Sequence, residues 1–243
     1  MNRTRPRLEW ASPLVAILII VLALVLVSAG LYFGDRFAQH RAEQRAATAL
    51  QPRLGTPEPP AVEIEGFPFL TQVASRSIDR VHVVADQLGT TDEAVLALAH
   101  ADVFLNDVVT NDGFKTMTIT HAEGTALLDY AKLSSLAGAP TTYSTDGRVE
   151  LVMKTTVLGR NVEAVVGGTP RLNAKEQTMT LSDATVSVAG VNLPEFTAQA
   201  LLAAVLRPIP LKGMPLGMTV TRITAAEDGV HLDLVGDNLA VSS

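Results

Sequence analysis

No cysteine occurs in the 243 residues, which excludes disulfide scaffolds, thiolate zinc sites, thiol catalysis and iron–sulfur ligation. Aromatic residues are scarce: one Trp, three Tyr and seven Phe make up 5% of the chain. Positive charge is also in deficit, with 19 basic against 25 acidic side chains and a formal net charge of −6. A nucleic-acid surface needs a basic face interleaved with stacking rings, so no nucleic-acid partner is expected. Gly-rich phosphate loops, the Gly-x-Ser-x-Gly elbow and His-Glu-x-x-His are all missing. The five histidines, His40, His82, His100, His121 and His231, never stand two or four residues from one another, as a metal site usually requires. Neither metal nor cofactor is expected. The bulk of the chain is aliphatic instead, 47% hydrophobic and built on Ala, Val and Leu, so a ligand would meet aliphatic surface rather than rings.

Arg3, Arg5 and Arg7 precede an uncharged stretch of 24 residues, Trp10 to Phe33. Ser12 and Pro13 suit an N-cap and first helical position. The 20 residues from Leu14 to Phe33 would rise about 30 Å as a helix, the thickness of bilayer hydrocarbon. Trp10 at one end and Tyr32 with Phe33 at the other suit the two interfaces. The expected organisation is a cytoplasmic N-terminus (1–12), a transmembrane helix or signal anchor (13–34), a helical stalk with a Pro-rich linker (35–60) and an extracytoplasmic domain (61–243). The basic flank makes this a single-pass plasma-membrane protein with its N-terminus inside. Val27-Ser28-Ala29 would also serve as a signal-cleavage site, but the apolar run continues past it through Leu31-Tyr32-Phe33, which favours an uncleaved anchor.

Asp35 to Leu50 carries Phe37, Ala38, Arg41, Ala42, Arg45, Ala46 and Ala49 at helical spacing, and Pro52, Pro57, Pro59 and Pro60 mark its end. Beyond them the period falls to two. Val62/Ile64, Val81/Val83, Val95 to Leu105, Val149 to Met153, Val162 to Val166, Thr178 to Val188, Met218/Val220 and Val230 to Leu234 alternate as strands do. Asp112-Gly113, Asp146-Gly147, Gly167-Gly168 and Asp228-Gly229 are read as turns. Two helices are expected: one capped by Thr120 and Glu123 and stopped at Gly138, the other from Phe196 to Leu206. The fold class is α+β, a long curved antiparallel sheet packed on two helices and preceded by one transmembrane helix.

Catalytic pairings are sparse. His82 with Asp86 and His100 with Asp102 share strand faces, the arrangement a hydrolase dyad would need, although solvated strands supply such pairs by chance. A non-enzymatic binding protein is expected. The face Val95, Ala97, Ala99, Ala101, Val103 and Leu105 leaves room because three positions are Ala; protein could fill it, or it could form an apolar groove for acyl chains.

Val62-Glu63-Ile64-Glu65-Gly66-Phe67-Pro68-Phe69-Leu70-Thr71-Gln72 resembles the opening signature of the LmeA family of actinobacterial phospholipid-binding envelope proteins. Pro208-Ile209-Pro210-Leu211, Pro215-Leu216-Gly217-Met218, Asp228-Gly229-Val230 and Gly236 supply a second match. The resemblance spans residues 62–241. It implies an extracytoplasmic, periplasm-facing domain similar to the tubular lipid-binding fold, binding phospholipid and supporting maturation of envelope lipids or lipoglycans. It carries over no catalytic residue. Pro68 between Phe67 and Phe69 predicts an extended segment that either plugs the sheet or lines a portal, with Thr71 and Gln72 binding a headgroup or capping the strand.

Two functions follow. In the first, an anchored protein holds phospholipid acyl chains against Phe67, Phe69, Leu70, Val95, Ala97, Ala99, Ala101, Val103, Leu151, Met153, Phe196, Leu201, Leu202 and Val205. In the second, the same faces form a closed core and the domain is a non-catalytic module for an envelope enzyme.

Overall fold

The computed structural model describes residues 13–89, 96–111, 116–157, 160–188, 191–192, 194, 202 and 207–242. The chain opens with α1 (Pro13–Leu54), 42 residues of unbroken helix. The apolar run and the polar stalk are therefore one rod, about 63 Å long at the α-helical rise. Pro52 lies within its last turn rather than ending the helix at Leu50. By length and composition α1 can cross a membrane.

Two antiparallel sheets follow. The first contains β1 (Ala61–Glu65), β2 (Ser77–Leu88), β3 (Leu98–Asn111), β4 (Thr116–Leu128), β11 (Thr219–Ala226) and β12 (Gly229–Ser242), in the order β1-β2-β3-β4-β12-β11. The second runs β10-β8-β7-β6-β5, formed by β5 (Thr141–Tyr143), β6 (Val149–Val157), β7 (Arg160–Asn173), β8 (Thr178–Val188) and β10 (Ile209–Pro210), with β9 (Val191–Asn192) paired to β8. The structure thus has the expected helices, curved antiparallel sheet and N-terminal apolar helix, with the strands divided between two sheets. One apolar core joins them, from Val83 and Leu98 in the first to Val149, Val166 and Val186 in the second. Burying so much aliphatic surface is what drives strands this long to curl around a common interior.

Single residues in the left-handed region interrupt the alternation. Gln87, Asp107 and Asn238 have φ of 55°, 51° and 51° inside β2, β3 and β12. Inward positions accordingly slip by one residue: Ala85 to Leu88, Leu105 to Val108, and Ile119 to Ala122 across from Asp107. Such kinks raise local twist and curl the sheet. Ala99 lies across from the Gln87 kink, between the paired positions His100 and Leu98, so the even-spaced face read from Val95 to Leu105 breaks there.

Three further expectations are corrected. Thr120 and Glu123 do not cap a helix, because they lie inside β4, which pairs on both sides with β3 and β12. The helix there is α3 (Tyr130–Ala137), capped by the Asp129 carboxylate accepting the Lys132 N–H at 2.6 Å and ended by Gly138 at φ 68°. Propensity near Leu127 was overridden by ladder pairing in mid-sheet. Residues Gly66 to Gln72 are not extended throughout: α2 (Phe69–Ser75) starts after Pro68. Gly167-Gly168 is no turn but the irregularity in β7 where the register with β8 shifts. Asp112-Gly113 and, except for Leu202, the expected helix Phe196 to Leu206 lie outside the described residues; Leu202 is helical, half-buried and packed on the core.

Candidate functional site

Among the described residues, two cavities border the sheets. The first, about 290 Å³, lies between the last turns of α1 and the concave face of the first sheet. Ala46, Ala49, Leu50 and Leu54 of α1 form its roof, and Val81, Val83, Ala101, Val103 and Leu105 its floor. Met117, Ile119, Leu216 and Val241 close one end, Ala85 and Leu88 the other. Among the described residues lining it, Arg53 alone is charged. Ala46 and Ala49 on α1, opposite Ala85 and Ala101 on the sheet, leave the gap, since small side chains on facing elements cannot meet. Its volume falls near the lower end of the roughly 300–1,000 Å³ usual for ligand pockets.

The second cavity, about 490 Å³, lies under α3 against the second sheet. Leu133, Leu136, Val149, Leu151, Met153, Met179, Leu181 and Ile209 supply apolar walls, with Arg207 at its border. The residues expected to share one groove are therefore divided: Ala101 and Val103 line the first cavity, Leu151 and Met153 the second. Ala97 and Ala99 are half-buried and line neither. Val95, Phe196, Leu201 and Val205 lie outside the described residues.

The Gly66–Gln72 signature forms an elbow against α1. Gly66 takes φ 100°, in the region glycine tolerates. Gln72 is buried, donating to the Glu65 carbonyl at 3.2 Å and accepting the Asp79 N–H at 2.9 Å, so its amide holds the elbow and is spent on backbone. Thr71 is exposed. The buried Asp35 carboxylate of α1 accepts the N–H groups of Phe69 at 3.0 Å and Leu70 at 2.7 Å, the first turn of α2. Gln39 donates to the Ile64 carbonyl at 2.5 Å while Glu43 accepts the Ile64 N–H at 3.0 Å. Polar side chains of the stalk thus satisfy the free edge of β1. Phe69 is buried, whereas Phe67 and Leu70 are 58% and 49% exposed.

The acid–histidine pairs form across strands rather than along them. His82 meets Asp102 at 2.8 Å and His100 meets Asp86 at 2.7 Å. His82 also stacks on Phe104 at 4.2 Å, with the Arg80 guanidinium 4.5 Å from that ring. Their neighbours Val83, Ala85, Ala101 and Val103 point inward, so this polar cluster occupies the face of the sheet opposite the first cavity. No group of three metal-ligating side chains occurs among the described residues.

The residues the sequence missed are the α1 roof, Leu50 and Leu54, and the far floor, Ile78, Val81, Met117 and Leu216. A signal was present for the roof: Ala46, Ala49 and Leu50 continue the apolar stripe of a stalk that otherwise reads as polar.

An aliphatic cavity roofed by a helix on the concave face of a curled antiparallel sheet defines a binding domain for an apolar ligand. A family model described as LmeA-like phospholipid-binding matches residues 33–235, most of the chain, and the protein belongs to that family. Neither a curated protein nor a solved structure matches the chain.

Proposed function

We propose that the protein is a membrane-anchored, non-catalytic lipid carrier whose first cavity holds phospholipid acyl chains, with α1 spanning the plasma membrane and the sheets on its outer side. The observation that carries this is the lining between α1 and the first sheet, aliphatic except for Arg53. Each methylene buried there contributes about 0.8 kcal/mol, so a partly enclosed acyl chain is held firmly without any directional contact. Arg53, exposed at the border and without an ion pair among the described residues, suits a phosphate. The basic flank before the apolar run supports an N-terminus inside. Support of envelope-lipid maturation belongs to this proposal as the work such a carrier would do, and a closed module docking an envelope enzyme is its rival.

The test is mass spectrometry of an organic extract of the full chain, purified in a non-lipid amphipol after stringent delipidation and then exposed to phosphatidylglycerol vesicles. Stoichiometric phospholipid retained by wild type, and lost when Leu50 and Leu54 are both replaced by Gln, supports the proposal. A folded protein that retains none overturns it and favours the closed partner-binding module.

A further inference from the structure

We infer that the elbow at Phe67 and Leu70 is a second membrane contact, dipping into the phospholipid leaflet beside α1 and turning the near end of the first cavity toward the bilayer. The inference rests on α1 being a membrane span. Its geometric basis is the level at which the elbow meets that helix. The Phe67 ring lies 5.8 Å from the Tyr32 ring, and Tyr32 and Phe33 stand at the end of the uncharged run, just before Gly34 and Asp35. Asp35, one turn further, is hydrogen-bonded to the first turn of α2. Where Tyr32 sits in the interface, Phe67 must therefore sit there too.

The exposed surface at this level is apolar on both elements. Phe33 is 71%, Phe37 65%, Phe67 58% and Leu70 49% exposed. They are continuous with the exposed aliphatic side of α1, from Ile20 to Leu31, whose covering is hydrocarbon if the helix spans. Arg36, next to Asp35, lies over the Tyr32 ring at 5.9 Å, where its guanidinium would reach lipid phosphate. The bilayer is thus the occupant that matches both the apolar ring and the cation beside it.

The elbow also orients the cavity. α2 feeds directly into Ser77 at the start of β2, and at that end of the sheet the cavity residues Ile78, Val108 and Ile119 pair across β2, β3 and β4 while Met117 pairs with Val241. Leu88, Leu50 and Leu54 mark the other end. The elbow end of the cavity therefore faces the bilayer, with Ala46, its first lining residue on α1, standing about 21 Å of helix beyond Tyr32.

The experiment places a tryptophan at the elbow of the full chain, Phe67→Trp in a Trp10→Phe background, reconstituted in vesicles containing brominated phosphatidylglycerol. Glu227→Trp, on the turn between β11 and β12 at the opposite end of the sheet, is the reference. Quenching of Phe67→Trp by brominated lipid and shielding from iodide, with the reverse at Glu227→Trp, is the expected result. Iodide access at Phe67→Trp in a chain that resists carbonate extraction overturns the elbow contact while leaving the anchor intact. A chain washed off by carbonate overturns the anchor and the inference together. In the second measurement, Phe67→Ser with Leu70→Ser slows uptake of pyrene-labelled phosphatidylglycerol from vesicles by about ten-fold or more, the loss expected for withdrawing two apolar side chains from lipid. Uptake of the same probe from detergent micelles stays at the wild-type rate. Equal losses from both donors would overturn the inference, because the elbow would then serve lipid holding and not membrane contact.

Discussion

At the scale of single residues, the fold depends on positions where a side chain would collide with backbone. Gly124 stands in the middle of β4, paired with Val103 of β3 and Leu234 of β12. A Cβ there would run into the Asp102 carbonyl oxygen and lie 2.8 Å from the Val103 Cα. Neither atom can move without distorting the ladder, so Gly124→Ala should destabilise the domain by about 1–3 kcal/mol, read as a lower urea midpoint at unchanged slope. Tyr130 shows the polar counterpart. Its hydroxyl donates to the Ala226 carbonyl at 2.6 Å, and burial, reinforced by Tyr143 and Asp228, pushes its pKa up to about 12. With the folded value raised above the ordinary 10.0, this residue's contribution is fully present below pH 10 and is lost as pH rises from 10 to 12. Tyr130→Phe should cost about 1 kcal/mol at pH 8 and flatten the alkaline fall in stability, measured by urea unfolding across that range.

At the scale of elements, the decisive contact is between the stalk and the domain. A flexible tether would let the domain wander, but Asp35, Gln39 and Glu43 tie α1 to α2 and β1 by four hydrogen bonds at 2.5–3.0 Å. Replacing Asp35 by Ala leaves two N–H groups at the start of α2 without their acceptor, so hydrogen exchange at Phe69 and Leu70 should accelerate by about ten-fold or more while the core strands keep their protection. Unchanged exchange would show that the stalk does not hold the elbow. Much of this level was legible in the sequence: strands from two-residue alternation, the α3 stop from Gly138, the long N-terminal apolar helix from its lack of charge. The elbow was read as extended because Pro68 allows either an extended segment or a helix start, and the acceptor that selects the helix, Asp35, lies 34 residues away from Phe69. Strand kinks at Gln87, Asp107 and Asn238 gave no signal, since those residue types are ordinary on a solvated strand face.

At the scale of the whole molecule, the proposed acyl chains could occupy either of the two apolar cavities found among the described residues, because the sequence placed both sets of lining residues in one groove. Period-two alternation shows which residues share a face of one strand but not which strands share a sheet, and β3 and β6 belong to different ones. Ala101 lines the cavity under α1, Met153 the cavity under α3, and Ala99 neither. A tryptophan placed at each position adds bulk where the local gap can accept it, at a cost of about 1–3 kcal/mol if it does not fit. With acyl chains under α1, Ala101→Trp should lose co-extracted phospholipid while Met153→Trp and Ala99→Trp retain it, all three remaining folded by near-ultraviolet circular dichroism. Loss at Met153→Trp alone would move the ligand to the cavity under α3. Loss at both, with Ala99→Trp still loaded, would mean that one lipid reaches across the two sheets, its headgroup and tails held by different halves of the curl.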